Sequence, residues 1–250
     1  MGLDILSGRY NANPRLVNSA AVRADRTIEA HSFRNDIAKS QNRLMIAATS
    51  PFKRDIDISW LPVAAETYQI SSDIKDYVIV DVPAVTIDIP NRNLQAFPFE
   101  EVSYFDPMYG RQVFQSFIGK PSHVDHQNKD PLKAKGVIFD ATMQFVPKWN
   151  VWKIRLLQGF DRSKDNMLAS QILNGQRCGY SMGALVSNFI CSVCGTIENQ
   201  YSPCAHIKAG KGSVFNDRLT YEICCGVNYV ENSSVAEPAD PTAESDCYWS

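Results

Sequence analysis

A serine hydroxyl attacks a carbonyl only when a base takes its proton and donors receive the oxyanion that forms. Ser181, in Arg177-Cys-Gly-Tyr-Ser-Met-Gly183, is a candidate for that role, because Gly183 lets backbone approach a reacting carbonyl closely. Gly179-Tyr-Ser-Met-Gly183 also has the Gly-x-Ser-x-Gly spacing of a hydrolase nucleophile elbow, which needs a helix after the serine and the histidine last in the chain. Met182 to Ile190 reads as a strand, and the only histidine after Ser181 is His206, inside a cysteine cluster. The elbow is therefore set aside.

A base for Ser181 must titrate near neutrality, and histidine does so unaided. Four histidines are present, His31, His123, His126 and His206. His31 lies in a polar stretch that suits a solvated side chain. His123 and His126 lie in Gly119-Lys-Pro-Ser-His-Val-Asp-His-Gln-Asn128, a turn-rich loop of the kind that carries catalytic groups on a rigid scaffold. A metal site from His123, Asp125 and His126 is a weaker reading, since one loop rarely supplies a whole ligand set.

The second constellation is Cys191-Ser-Val-Cys194-Gly followed by Pro203-Cys204-Ala-His206. Three thiols and one imidazole would close a tetrahedral structural zinc site, and the glycine after the second thiol suits a zinc knuckle. The alternatives are reduced thiols packed as small apolar groups, or a disulfide formed after lysis. Cys224 and Cys225 fall in a strand and cannot both face one side. Cys178 carries no signal of a catalytic thiol.

These groups need elements to hold them. Leu44 to Ala48 and Tyr77 to Val82 are short apolar runs with strand punctuation, and Pro83, Pro90 and Pro98 mark turns or edges. Val113, Phe114, Phe117 and Ile118 recur at helical spacing. Gly136 to Phe145 and Val151 to Leu157 predict a hairpin across Pro147-Lys-Trp-Asn150. Ser163 is the expected N-cap of a helix with Met167, Leu168, Ile172 and Leu173 on its apolar face and Gly175 at its close. Strands are expected over Gly179–Ile190 and Leu219–Val230. Residues 1–42 read as an N-terminal arm or pro-segment, 43–236 as the main domain with its knuckle at 191–206, and 237–250 as a Pro- and acid-rich tail. The sum is an α+β, β-dominated domain, closed or partly closed, with peripheral helices.

A hydrophobic content of 44% in 250 residues permits a sizeable core. A net charge of −2 gives no basic field for nucleic acid, and no apolar run is long enough to span a bilayer. No export signal precedes the seven cysteines, so an intracellular setting with reduced thiols is expected.

The order of the motifs resembles that of the prohead proteases of tailed bacteriophages. Phe117-Ile-Gly-Lys-Pro-Ser-His-Val-Asp-His126 with Ala134-Lys-Gly-Val-Ile-Phe-Asp140 resembles their histidine segment. Leu156-Leu-Gln-Gly-Phe-Asp-Arg162, the helix to Gly175 and Tyr180-Ser-Met-Gly183 resemble their serine segment, and Asn228 to Thr242 looks like their closing strand and Pro-Ala turn. The likeness covers about residues 77–242. It implies an assemblin-like β-barrel with Ser181 as nucleophile, His126 rather than His123 as base, and Glu231 as the acid behind it. Asp217 and Glu222 are the alternative acids. Asn232-Ser-Ser234 departs from the apolar residue that relatives commonly carry after the acid.

The resemblance further implies a serine endopeptidase that cuts scaffold and major capsid precursors, and itself, in the host cytoplasm inside the assembling prohead. Catalysis would need no cofactor. Related enzymes tend to cut after Glu, which makes Glu29 and Glu244 candidate self-processing sites. Neither membrane nor nucleic-acid binding is expected, and a homo-oligomer is one assembly the sequence allows. The competing reading is a non-catalytic, zinc-stabilised structural or adaptor protein of the virion on the same fold. A zinc-knuckle nucleic-acid binder fits the acidic composition worst.

Overall fold

The computed structural model describes residue 52, residues 55–198 and 203–236, and the backbone of three strands at 15–23, 38–40 and 43–45. In chain order the strands are β1 (Arg15–Arg23), β2 (Ala38–Ser40), β3 (Arg43–Met45), β4 (Asp55–Asp57), β5 (Tyr77–Thr86), β6 (Gln95–Ala96), β7 (Phe105–Asp106), β8 (Arg111–Gln112) and β9 (Pro121–Val124). They continue as β10 (Gly136–Val146), β11 (Val151–Asp161), β12 (Gly179–Cys191), β13 (Ile197–Glu198), β14 (Val214–Phe215), β15 (Arg218–Leu219) and β16 (Glu222–Val235). Among the described residues four short α-helices join them: α1 (Leu61–Tyr68), α2 (Phe99–Ser103), α3 (Asn166–Leu173) and α4 (Ala205–Ala209). The protein is mostly β with a few helices.

One sheet dominates, in the order β1-β12-β16-β9-β10-β11-β5, with β13 added to β12 and β6 to β16. Every pairing on this path is antiparallel except β9 on β16. The expected barrel is not closed. β1 and β5 approach each other at the two ends of the path, but no ladder joins them.

Alternation along the strands builds two cores. On β5, Val78, Val80 and Val82 face the larger core with Phe117, Phe160, Tyr180, Met182 and Tyr229, while Tyr77 and Ile79 face the smaller one. On β10, Ile138 joins the larger core and its neighbours Val137 and Phe139 the smaller, beneath α1. Strands buried on both faces read as continuous apolar runs, which is why Tyr77 to Val82 was recognisable. Gly136 and Gly159 allow β10 and β11 to come this close. A Cβ on Gly136 would stand 1.9 Å from the Gly159 carbonyl oxygen, and one on Gly159 would stand 2.3 Å from the Phe139 ring.

Several local expectations are corrected. The Val113 run is a 3-10 helix over Val113–Phe117. The cap of α3 is Asp165, whose carboxylate accepts from Leu168 N at 3.0 Å; the Ser163 hydroxyl instead donates to Asp161, and Met167 is exposed. The last strand starts later and runs further than Leu219–Val230, ending at Val235. Within the stretch read as an arm or pro-segment, β1 lies directly against β12. Met45 is the last residue of β3; the remainder of the expected 44–48 strand, His31, Glu29, Glu244 and the tail lie outside the described residues.

Candidate active site

Ser181 lies between Tyr180 and Met182 on β12, both in the larger core, so alternation turns its hydroxyl to the opposite face. Across the β12–β16 ladder its partner is Ser233, and Gly183 is opposite Glu231. Residues directly opposite share a face, and Glu231 and Ser233 are two apart on one strand. Ser181, Glu231 and Ser233 are therefore presented together. All three are at most 4% exposed.

The histidine arrives from β9. Ser122 and His123 pair with Asn232 and Ser233, and Asp125 N continues the ladder to Ser234 O at 3.0 Å. The chain then reverses through two consecutive left-handed residues, Asp125 (φ 47°) and His126 (φ 56°), and Gln127 N closes the turn on Val124 O. Asp and His tolerate positive φ better than most side chains. The turn swings the His126 ring over the serine. His126 Nε2 lies 2.7 Å from Ser181 Oγ, and Nδ1 lies 3.0 Å from Glu231 Oε1.

With a carboxylate at Nδ1, that nitrogen carries the proton and donates it, which leaves Nε2 as the bare acceptor for the serine hydroxyl. Glu231 is itself held: Ser233 Oγ donates to Oε2 at 2.7 Å and Asn128 Nδ2 to Oε1 at 3.3 Å. Donors on both oxygens fix the direction in which the carboxylate points. The turn is braced by Arg177, which donates from Nη2 to Asp125 Oδ1 at 2.7 Å and to Ser234 O at 3.1 Å, and from Nε to Ser234 Oγ at 2.8 Å.

The arrangement is that of a hydroxyl, an imidazole and a carboxylate in series, suited to acyl transfer through a covalent intermediate. The alternative acids sit elsewhere. Glu222 is opposite Cys191 at the far end of the ladder and bonds Lys211 and Gln95, and Asp217 is in the β14–β15 turn. His123 does not reach the serine. It is buried below the turn, where desolvation holds its imidazole below the usual pKa despite the nearby Glu231 and Asp130 carboxylates.

Sequence reasoning missed Ser233, Asn128 and Arg177. The Asn-Ser-Ser departure was the available signal. Its physical basis is now visible: Asn232 points to the other face, where its side-chain amide donates to Gln158 Oε1 at 2.7 Å and Gln158 Nε2 returns a bond to Asn232 O at 3.1 Å. At this buried position β11 supplies the acceptor for the Asn232 amide N–H.

At the opposite end of β12, Cys191, Cys194, Cys204 and His206 converge, with their ligand atoms all within 4.8 Å of one another. His123, Asp125 and His126 form no such group among the described residues. Cys224 and Cys225 are both buried, and the six described cysteines are free thiols.

No protein-family model matches the chain. No curated protein matches it either. Among solved structures it is similar to the capsid assembly protease of bacteriophage T4, with a TM-score of 0.43 and 14% identity over 90% of this chain and 99% of that one.

Proposed function

We propose that the chain is a serine endopeptidase of phage prohead maturation, with Ser181 as nucleophile, His126 as general base and acid, and Glu231 as the carboxylate that orients His126. The observation that carries the chemistry is the series Ser181 Oγ–His126 Nε2 at 2.7 Å and His126 Nδ1–Glu231 Oε1 at 3.0 Å, on a buried face. The motif order around these residues supports the prohead setting.

His126 Nε2 takes the Ser181 proton as Oγ attacks the scissile carbonyl, and Glu231 stabilises the imidazolium. The same nitrogen then protonates the departing amine, which leaves an acyl-enzyme. Water, deprotonated by His126, releases the acyl group and restores the serine. On this reading the substrates are scaffold and major capsid precursors within the assembling head, with self-cleavage after Glu29 and Glu244. No helix among the described residues is long and apolar enough to cross a membrane.

The test is the mass of the purified chain after expression. Wild type should lose terminal segments, and Ser181→Ala should stay full length while keeping its fold by circular dichroism. Equal trimming of the alanine variant would overturn the proposal.

A further inference from the structure

We propose that Cys191, Cys194, Cys204 and His206 hold one structural zinc ion, and that this ion fastens the excursion from Ser192 to Tyr221 onto the end of the nucleophile strand. In a tetrahedral site with Zn–S near 2.3 Å and Zn–N near 2.0 Å, neighbouring ligand atoms are about 3.5–3.8 Å apart. Here Cys204 Sγ and His206 Nδ1 are 3.9 Å apart, and all four ligand atoms fall within 4.8 Å of each other. The Cys204–His206 pair is already near that spacing, and closing the widest separation takes a side-chain shift of about 1 Å at most.

Three of the four ligands are held by neighbouring groups. Cys191 ends β12, with its N–H on Thr196 O at 3.0 Å and its carbonyl accepting from Gly195 N at 2.9 Å. Gly195 takes φ +70°, the left-handed conformation that a Cys-x-x-Cys-Gly knuckle requires of its last residue, and a Cβ there would meet nothing. Cys204 starts α4 with its N–H on buried Glu198 Oε1 at 3.0 Å, and the His206 ring meets the Phe215 ring edge-on at 4.9 Å. Partners that orient the ligands in this way are characteristic of built metal sites.

The second observation is what the excursion lacks. None of its described residues belongs to the buried hydrophobic core, which resumes only at Cys224, and Ile197, Val214 and Leu219 are exposed. Its ties to the main sheet are the two-residue β12–β13 ladder and the Lys211–Glu222 ion pair at 3.2 Å, and inside it Ser192 Oγ donates to Leu219 O at 2.7 Å and Arg218 Nη1 to Val193 O at 3.3 Å. A segment without its own core needs a staple, and three thiolates with an imidazole supply one. The cluster is at the opposite end of β12 from Ser181, so the ion takes no part in acyl transfer.

The test is metal analysis of the full chain, purified under reducing conditions from zinc-supplemented cells. Wild type should carry about one zinc per chain, and Cys191→Ser and Cys204→Ser should each lose most of it. His206→Cys, which keeps four ligands, should retain it. Stripping the metal with a mercurial and a chelator should open Lys208, Lys211 and Arg218 to trypsin, while Ser181 keeps its reaction with a fluorophosphonate. Wild type without zinc, or serine variants that keep the full equivalent, overturn the inference. Should the serine variants fail to fold, cobalt replacement decides: thiolate-to-cobalt charge-transfer bands are expected, and their absence counts against the site. Loss of fluorophosphonate reaction in a zinc-loaded chain would strike the catalytic proposal alone.

Discussion

Ser233 stands directly across the β12–β16 ladder from Ser181, and its hydroxyl joins the other two members of the site. It donates to Glu231 Oε2 at 2.7 Å and accepts the His126 backbone N–H at 3.3 Å. One fully buried hydroxyl thus sets both the direction of the acid and the height of the histidine turn above the serine. Removing it leaves a buried carboxylate short of a donor, which costs about 1–3 kcal/mol. Ser233→Ala should slow fluorophosphonate modification of Ser181 roughly 5- to 100-fold at unchanged far-UV dichroism. A rate within twofold of wild type would remove Ser233 from the site.

Glu231→Gln keeps the shape but loses the charge, and presents an amide where the imidazole needs an acceptor. The outcome expected from the loss of the correct tautomer and of imidazolium stabilisation is a fall in turnover on the order of 10³- to 10⁴-fold. Asp217→Asn should leave the rate unaltered. Comparing the two variants on self-cleavage, or on the fluorophosphonate rate, checks which acid serves His126.

Arg177 and Asp125 form an ion pair at 2.7 Å across the turn that carries His126. The Asp125 side of the pair is exposed, so its direct contribution to stability is at most about 1 kcal/mol. Its contribution to placing His126 should be greater. Arg177→Met should lower the Ser181 modification rate by roughly tenfold while shifting the melting temperature only slightly. In a double-mutant cycle, Arg177→Met and Asp125→Asn should prove non-additive.

The buried His123 predicts an acid-side loss of stability. Burial lowers its folded pKa below the ordinary value near 6.5, so below that pH the unfolded chain binds a proton that the folded chain resists. Stability should therefore be full above about pH 6.5 and decline as the pH falls through and below it. His123→Gln should flatten that decline in urea midpoints measured from about pH 7 down to about pH 5. The flanking charges are Glu231 and Asp130, which oppose the shift, and His126, which adds to it.

Gly136→Ala tests the close approach of β10 and β11. The new methyl would fall on the Gly159 carbonyl, which is backbone and cannot swing aside. A loss of about 2–4 kcal/mol is expected by chemical denaturation.

Much of this was legible in the sequence because it is local or periodic. The β10–β11 hairpin follows from two apolar runs across a four-residue turn, with Asn150 at φ 54° and its N–H on Pro147 O. Ser181, His126 and Glu231 were nameable as residue types in motif order, and Cys191-x-x-Cys194-Gly as a knuckle. The supporting residues were not. Ser233, Asn128 and Arg177 matter only because a parallel β9–β16 pairing and a left-handed turn bring distant segments together, and neither leaves a pattern in the sequence. Barrel closure was likewise beyond reach, since it depends on whether β1 and β5 share a ladder rather than on what either strand contains.

The central claim is that His126 activates Ser181, and the most direct measurement is the intact mass of the full chain after exposure to a fluorophosphonate, with the modified residue located by peptide mapping. The account predicts one adduct, on Ser181, formed rapidly in wild type and absent from Ser181→Ala and His126→Ala. A folded wild-type chain that takes up no adduct, or takes it up equally well without His126, would contradict it and favour a virion protein that uses this fold without catalysis.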